Sequence, residues 1–455
     1  MMSKKYQIKI IKGKEKIVYL PQEYSKKVFS KIAFGTIAVE AQFSPSKKDG
    51  NSITITQSLA NSLKFTNYTG PIHLFVHEKT LYIGPLVGIF TSGFTPYSMW
   101  PIGERSSFFA KLLSVNKSVG AIAFVFGEEH INWEQGTING LFSFENGWES
   151  VEVPFPNVIY DRLPNRRSEK RSDVKKVKEK LQEQYLIPWY NPGFFNKLDV
   201  YERLIEDQRA ADYLPVTFPF TSLSVIERML SQYGHVFIKP VHGSLGNGVH
   251  QIIYSKDDGN YFCRFRSRDH KNKLLKFSTL ESLFNHVFAK RDLSNFLVQQ
   301  GVNLIRIDNR ILDFRVHTNK DDLGEWKISA IAAKLAGSGS VTTHVNNGGV
   351  IQSIEEIFTF KQDQEEIKEK LSKAALQLSK SLEKQMEGII GEVGFDMGID
   401  RSGKVWLFEA NSKPGRSIFK HPDMKKFEVL TRQLSLAYAV FLAKKSIEEP
   451  EEILR

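Results

Sequence analysis

The sequence predicts an α+β protein in which a strand-rich N-terminal module precedes a larger module of sheets and helices. Three patterns carry that expectation. Short runs of β-branched or aromatic residues alternating with polar ones fill the first 150 positions. Asp363–Lys384 sets Ile367, Leu371, Ala374, Leu378 and Leu382 at helical spacing, with Lys and Glu over much of the remaining surface. Two alternating runs, Gly391–Ile399 and Lys404–Asn411, are joined by Asp400–Gly403 and read as an antiparallel hairpin.

In chain order, Tyr6–Lys12, Lys16–Leu20, Gly35–Ala41, Ser52–Thr56 and Ile72–Val76 read as strands. Thr80–Phe90 joins two apolar stretches through a bend at Gly84-Pro85. Ser106–Leu113 reads as a short helix, Val119–Phe126 as a strand, and Asn139–Glu145 with Trp148–Val153 as a hairpin about Asn146-Gly147. Val174, Val177, Leu181 and Tyr185 then recur at helical spacing until Pro188. Asn191-Pro192-Gly193 is a turn before a helix starting near Asp199. Strand Pro215–Phe218, helix Ser222–Leu230 and strand His235–Lys239 follow, and Ala437–Lys445 is the final helix. The expected division is a strand-rich domain at 1–155, a basic connector at 156–194, the larger domain at 195–447 and an acidic tail at 448–455.

Composition narrows the function classes. With 455 residues, 41% hydrophobic and 25% charged, the chain has the makings of large folded cores. A single cysteine, Cys263, excludes an internal disulfide framework and any multi-cysteine metal cluster. No apolar run approaches the ~18 residues of a membrane helix, and the charged N-terminus lacks a signal-peptide core, so a soluble, cytoplasmic-type protein is expected. The formal net charge is +11, and Arg162–Lys180 concentrates nine basic against three acidic residues. That segment is either a basic connector with a solvated helix face or a contact for an anionic polymer. Charge alone supplies no readout of sequence, and nucleic acid is not an expected partner.

The chemistry-bearing residues lie in the second half. Val236–Ile238 is an apolar strand delivering Lys239 to its end, and Pro240 stiffens the exit. Gly243, Ser244, Gly246 and Gly248 follow. Glycines let amide groups surround phosphate oxygens while a lysine adds a mobile positive charge. By itself the segment also reads as a plain hairpin turn. In the late hairpin, closing the strands directly across Asp400–Gly403 pairs Ile399 with Lys404 and Asp396 with Leu407. Asp396, Glu409 and Asn411 then share one face, with Glu409 diagonal to Asp396, an oxygen set suited to Mg²⁺ or Mn²⁺. A solvated hairpin face is the alternative, opposed by the surrounding Val393, Phe395, Met397, Leu407 and Phe408. Asp313, Arg315 and His317 alternate onto one strand face, where Arg315 can clamp a phosphate or carboxylate. Lys334 offers another anion contact, whereas His317 reads as an ordinary surface or core histidine. Phe296–Val302 runs into Gln300-Gly301, where backbone groups beside Val298 or Val302 can face a planar heterocycle.

Together, the phosphate-loop lysine, hinge, arginine strand and Asp396…Glu409-Ala410-Asn411 endpoint resemble the ATP-grasp fold. Leu81–Ile89, Phe237–Gly248 and Phe408–Gly415 further resemble the YheC/YheD group of endospore coat-associated proteins. The resemblance implies an ATP-grasp fold with an additional N-terminal strand-rich mixed domain. It implies ATP phosphates on Lys239 beneath a Gly243–Gly248 flap, Lys197 as an earlier nucleotide contact, and Gln299, Gln300, Gly301 and Val302 as the adenine hinge. Arg315 and Lys334 fall at phosphate or acyl-phosphate contacts, and Asp396, Glu409 and Asn411 at metal-binding positions. Thr343-His344-Val345-Asn346-Asn347-Gly348-Gly349 departs from the frequent Thr-Asn-X-X-X-Gly-Gly pattern. The implied activity is an ATP- and Mg²⁺-dependent carboxylate–amine ligase working through an acyl phosphate on a spore peptide or envelope component. The implied alternative is an ATP-binding structural or regulatory coat-associated protein with little turnover. Either would be cytoplasmic or coat-associated.

Overall fold

Strands without a polar face must be covered on both sides, and three such strands organise the first part of the chain. Leu86–Phe90, Ile122–Phe126 and Val158–Asp161 are buried along their whole length. The computed structural model describes residues 4–46, 50–65, 68–241, 247–267, 269, 271–289, 291–337, 339–343 and 348–453. Ile122–Phe126 and Val158–Asp161 both pair in parallel with Leu86–Phe90, one on each side. Trp189–Tyr190 extends this sheet beyond Val158–Asp161, and the Thr137–Phe144/Gly147–Pro154 hairpin lies toward its other edge.

A separate eight-stranded sheet precedes it, with Tyr6–Ile11 paired in parallel to Ser52–Thr56 and antiparallel to Pro71–His77. The expected bend at Gly84-Pro85 is where the chain changes sheets, Thr80–Gly84 belonging to the first and Leu86–Phe90 to the second. The single strand expected over Gly35–Ala41 is instead the second arm of a hairpin. Lys31–Phe34 and Ile37–Glu40 pair across Gly35-Thr36, where Gly35 takes φ +55°.

Two further sheets form the second half. One runs, in spatial order, Thr217–Pro219, Phe296–Gln300, His235–Pro240, His250–Ser255, Asn260–Arg266 and Asn272–Phe277. Ile226, Met229 and Leu230 of helix Leu223–Tyr233 cover it, joined by Leu280, Leu283 and Phe284 of helix Leu280–Val287. The other runs Val350–Gln352, Trp326–Leu335, Arg310–Lys320, Glu392–Ile399 and Val405–Asn411. Helix Lys361–Gln385 lies against it through Leu371, Ala374, Ala375, Leu378 and Leu382, four of these on the stripe read from the sequence.

The long C-terminal helix, Lys425–Glu448, contains the Ala437–Lys445 stretch read from the sequence and begins twelve residues before it. Its buried residues include Thr431, Arg432, Ser435, Tyr438 and Ala443, so polar positions interrupt any apolar stripe and hide its length from a periodicity argument. The acidic end beyond it is a further helical turn, Pro450–Ile453, with Lys445 pairing to Glu452 at 3.1 Å. Among the described residues no helix is long and apolar enough to cross a membrane.

The basic Arg162–Lys180 segment spends several of its charges internally. Arg166 Nη2 donates to Phe195 O at 2.6 Å, Arg171 pairs with Glu128 at 2.6 Å, and Lys178 Nζ donates to Pro192 O at 2.7 Å. At the start of the segment, Asp161 is buried with Lys413, Oδ1 to Nζ 2.6 Å, and their side chains are 1% and 3% exposed. Trp189 Nε1 donates to the second oxygen at 3.1 Å. Lys413→Ala would strand a buried carboxylate, which costs about 3–5 kcal/mol. A large fall in the urea midpoint followed by tryptophan fluorescence is expected; a midpoint within error of the wild type would refute the pairing.

Candidate nucleotide and metal site

A cleft of about 410 Å³ opens between the last two sheets. Strand alternation builds its first wall. Val236 and Ile238 are fully buried beneath helix Leu223–Tyr233, which turns Phe237 and Lys239 toward the cleft. Lys239 Nζ donates to Gln299 Oε1 at 2.8 Å and to Phe408 O at 3.3 Å. Gln299 Nε2 donates to Thr217 Oγ1 at 2.9 Å, which fixes the amide with its oxygen toward the lysine. Burial lowers the Lys239 pKa to about 7, with repulsion from Lys197 adding to it and Glu409 and Asp396 opposing it.

The other hinge residues divide. Val302 lines the cleft. Gln300 points elsewhere, its Oε1 accepting from Val216 N at 3.1 Å. Gly301 N donates to His235 O at 2.9 Å, and an added Cβ would stand 2.1 Å from the His235 ring, so glycine permits this approach. Lys197 opens helix Lys197–Glu206, capped by the Asn196 side chain, and its Nζ lies 3.4 Å from Glu409 Oε2. Gly243, Ser244 and Gly246 lie outside the described residues, as do His344, Asn346 and Asn347. Gly248 is described at φ +76°, its carbonyl bonded to His250 Nδ1 at 2.8 Å.

The second wall is the late hairpin and its neighbours. The register differs from that expected. Ile399 pairs with Val405 and Met397 with Leu407, and a bulge at Phe408 then sets Asp396 directly opposite Glu409. The cause is local. Asp400 Oδ1 accepts from Ser402 N at 2.9 Å and Lys404 N at 3.0 Å, so Lys404 belongs to the turn and leaves the ladder. The bulge adds the second shift and frees the Phe408 carbonyl for Lys239. Asp396, Glu409 and Asn411 still share a face, because a turn shift and a bulge together move the pairing by two. Asn411 sits one rung on, opposite Gly394, and is not among the residues lining the cleft.

Lys334 and Arg315 converge on Asp396. Lys334 Nζ lies 2.8 Å from Asp396 Oδ1 and 3.1 Å from Asp313 Oδ1, while Arg315 Nη2 donates to Asp396 Oδ2 at 3.0 Å. Burial works against the Lys334 charge, yet the two carboxylates outweigh it and its pKa is raised. Burial raises the Asp313 pKa despite Lys334 and a hydrogen bond from the Thr343 hydroxyl. His317 is fully buried, its pKa held well below normal by burial and the nearby Arg416, Arg315 and Arg162, as suits a core histidine. Asp313 and Thr217 were visible in the sequence as polar strand residues, but nothing there assigned them a partner. The donor set at this wall, Asp396 and Glu409, consists of hard oxygens beside lysines. It suits Mg²⁺ shared with phosphate better than a thiolate or imidazole metal.

Lys239 makes the site's pH behaviour measurable. Unfolded, the lysine titrates near 10.4, and folded near 7. Between those values the unfolded chain holds the extra proton, so stability rises with pH. The contribution is complete above the unfolded value and lost as pH falls through about 7. In urea unfolding between pH 6.5 and 9, the wild type should gain stability relative to Lys239→Met. A constant difference would mean an unshifted lysine.

Comparison with known proteins identifies the family. A family model described as YheC/D-like ATP-grasp matches residues 186–442. Endospore coat-associated protein YheD of Bacillus subtilis (strain 168) is 40% identical over 453 residues, covering 100% of this chain and 99% of the relative. YheC of the same organism is 23% identical over 307 residues, covering 66% of this chain and 82% of the relative. Among solved structures, the D-alanine–D-alanine ligase of Bacillus anthracis matches with a TM-score of 0.44 at 12% identity, covering 80% of this chain and 99% of that one. With a family match over more than half its length and a close full-length relative, the chain belongs to the YheC/YheD family of ATP-grasp proteins.

Proposed function

We propose that this protein binds ATP with Mg²⁺ and uses the terminal phosphate to join a carboxylate to an amine. One observation carries the reading. Lys197 and Lys239 meet Asp396 and Glu409 across a single cleft, with Arg315 and Lys334 gathered on Asp396. Gln299 and Val302 border the adenine end, and Lys239 and Lys197 face the phosphates. Asp396 and Glu409 would hold Mg²⁺, with Asn411 on the adjoining rung. When bound, the ion offsets repulsion among the phosphate oxygens.

In this scheme a substrate carboxylate oxygen attacks the γ-phosphorus. The bond from γ-phosphorus to the bridging oxygen breaks, and ADP leaves with the electron pair. Arg315 and Lys334 stabilise charge on the transferred oxygens. The amine then adds to the acyl carbon, phosphate departs, and the nitrogen releases a proton, leaving an amide. Because the relatives are named as endospore coat-associated, a coat or envelope component is the proposed setting, in the cytoplasm or at the coat.

Incubation with ATP, Mg²⁺ and a fractionated extract of sporulating cells tests the reading. ADP, phosphate and a new amide product, identified by mass, are expected. ATP binding without a product in any fraction would favour a structural or regulatory binder. Glu409→Gln keeps the shape and removes one charge. It should weaken ATP binding roughly tenfold in Mg²⁺, about 1.4 kcal/mol, and leave metal-free binding nearly unchanged in calorimetric titration. Equal loss with and without the ion would remove Glu409 from the metal site.

A further inference from the structure

The eight-stranded sheet turns one face into the N-terminal core and leaves part of the other open. Ile8, Val18, Ile53 and Ile55 point into that core. Alternation turns Lys9, Thr54 and Tyr19 to the opposite face. On the neighbouring strand Pro71–His77 this opposite face is occupied. His73 Nε2 lies 2.9 Å from Val119 O, and Phe75 shares a core with Leu436 and Val440 of helix Lys425–Glu448. Beyond that strand the face stands open across four strands, whose central rung runs Lys9–Thr54–Tyr19–Ser44. Lys9 is exposed, and Thr54, Tyr19 and Ser44 are half-buried.

The open part is cationic. Residues 4–31 contain nine Lys and two Glu, with no Asp or Arg. Some of that charge is used at once: Lys4 pairs with Glu23 at 2.7 Å, and Lys5 Nζ donates to Ser118 O at 2.5 Å. Lys12, Lys14 and Lys16 lie in the link from Tyr6–Ile11 to Ile17–Leu20, which passes the end of Ser52–Thr56. The link is pinned there. Thr56 Oγ1 donates to Glu15 O at 2.6 Å and accepts from Ile17 N at 3.2 Å, and Lys16 O accepts from Gln42 N at 2.9 Å. Its three lysines therefore stand at the rim of the open face. Among the described residues, none of Lys9, Lys12, Lys14 and Lys16 has an ion pair or a side-chain hydrogen bond, and all four are exposed. The four strands place no carboxylate on this face. Lysines on an edge strand guard against pairing with other sheets, but Lys9 is on an inner strand, between Pro71–His77 and Ser52–Thr56. Clustered like charges without counter-charges favour an anionic partner.

Size and chemistry select among anions. Three strand spacings of about 4.8 Å and four residue steps of about 3.3 Å give a face of roughly 14 by 13 Å. Its area, about 190 Å², is far below the ~800 Å² that each partner contributes to a stable protein interface. A short segment fits it and a folded surface does not. Platforms for single-stranded nucleic acid stack successive bases on several aromatic rings, and phosphate recognition favours arginine forks. Here the cations are all lysine, and Tyr19 is the sole aromatic that the four strands turn outward. Carboxylates need only point charges, and the Ser44 and Thr54 hydroxyls can hydrogen-bond an extended main chain.

We propose that this face, with Lys9 on it and Lys12, Lys14 and Lys16 at its rim, docks a short acidic segment of a partner polypeptide. The surface is on a different sheet from the nucleotide cleft and does not depend on the ligase reading. Fluorescein-labelled octamers of glutamate, glutamine and deoxythymidine are the probes, titrated with the full-length chain at low salt and followed by anisotropy. The glutamate octamer should bind, more weakly as salt rises, and the glutamine octamer should bind about tenfold more weakly or less. Combining Lys9→Gln, Lys12→Gln, Lys14→Gln and Lys16→Gln should lower glutamate-octamer affinity about tenfold, and Lys9→Gln alone about threefold. A control removes the same charge from exposed positions of helix Lys361–Gln385, through Lys361→Gln, Lys373→Gln, Lys380→Gln and Lys384→Gln. It should keep nearly full affinity. Matching urea midpoints check folding, and Lys9→Gln decides the matter if the fourfold variant fails to fold. Equal binding of the two peptides, no binding of the glutamate octamer, or equal losses in the fourfold variant and the control would each overturn the docking face. Tighter binding of the deoxythymidine octamer than of the glutamate octamer would overturn the choice of partner in favour of nucleic acid.

Discussion

The fold hangs on buried charges that tie the early parallel sheet to the loop following the last strand. Asp161 and Arg162 are consecutive at the carboxyl end of one strand, and Lys413 and Arg416 lie three residues apart in that loop. Asp161 takes Lys413, and Glu392 takes both arginines. Asn191 seals the joint: its Oδ1 accepts from Gly391 N at 2.8 Å and Glu392 N at 3.1 Å, while its Nδ2 donates to Glu392 O at 2.8 Å. Desolvation makes such pairs weak contributors to net stability, but once formed they tolerate no slip, since a displaced partner leaves an unpaired buried charge. Their contribution is to alignment more than to cohesion.

That alignment reaches the cleft through a short path. Ser412–Arg416 continues directly from the strand carrying Glu409, and Pro414 packs over Gly394, where a Cβ would meet it at 2.4 Å. Anchoring this loop fixes the end of the strand on which the Phe408 bulge sits. The bulge then determines two things together, the opposition of Asp396 and Glu409 and the carbonyl offered to Lys239. A regular hairpin would have turned the Phe408 carbonyl into the ladder and moved Glu409 off the Asp396 rung.

The parts legible in the sequence were those governed by local period. The long Lys361–Gln385 helix, the Leu223–Tyr233 helix and the face shared by Asp396, Glu409 and Asn411 all follow from spacings of 3.6 or 2. Register was not legible, because it depended on the Asp400 side chain capping its own turn and on an irregularity with no residue signature. Alternation turns the Gln300 side chain to the opposite face from Gln299, toward Val216, so the hinge read from the sequence rests on backbone groups at that position. Arg162 falls in the basic connector read from the sequence, and no local pattern marks it or Lys413 as buried, since the carboxylate that permits burial lies more than two hundred residues away in each case.

The charge balance of the cleft gives the arrangement its direction. Lys197, Lys239, Lys334 and Arg315 gather with Asp313, Asp396 and Glu409, and burial disfavours the charged forms of Lys239 and Asp313. Lys239 is pushed toward neutrality by burial and by Lys197, and burial raises Asp313. Both shifts mark a site whose charged forms are incompletely compensated by the protein alone. Added phosphate oxygens favour the protonated form of Lys239, and a cation between Asp396 and Glu409 would relieve the repulsion their direct opposition creates. Under the proposed function the two changes would reinforce each other, because each ligand would supply the charge that the other's binding residues lack. The bulge that puts the carboxylates on one rung is the feature on which that coupling would depend.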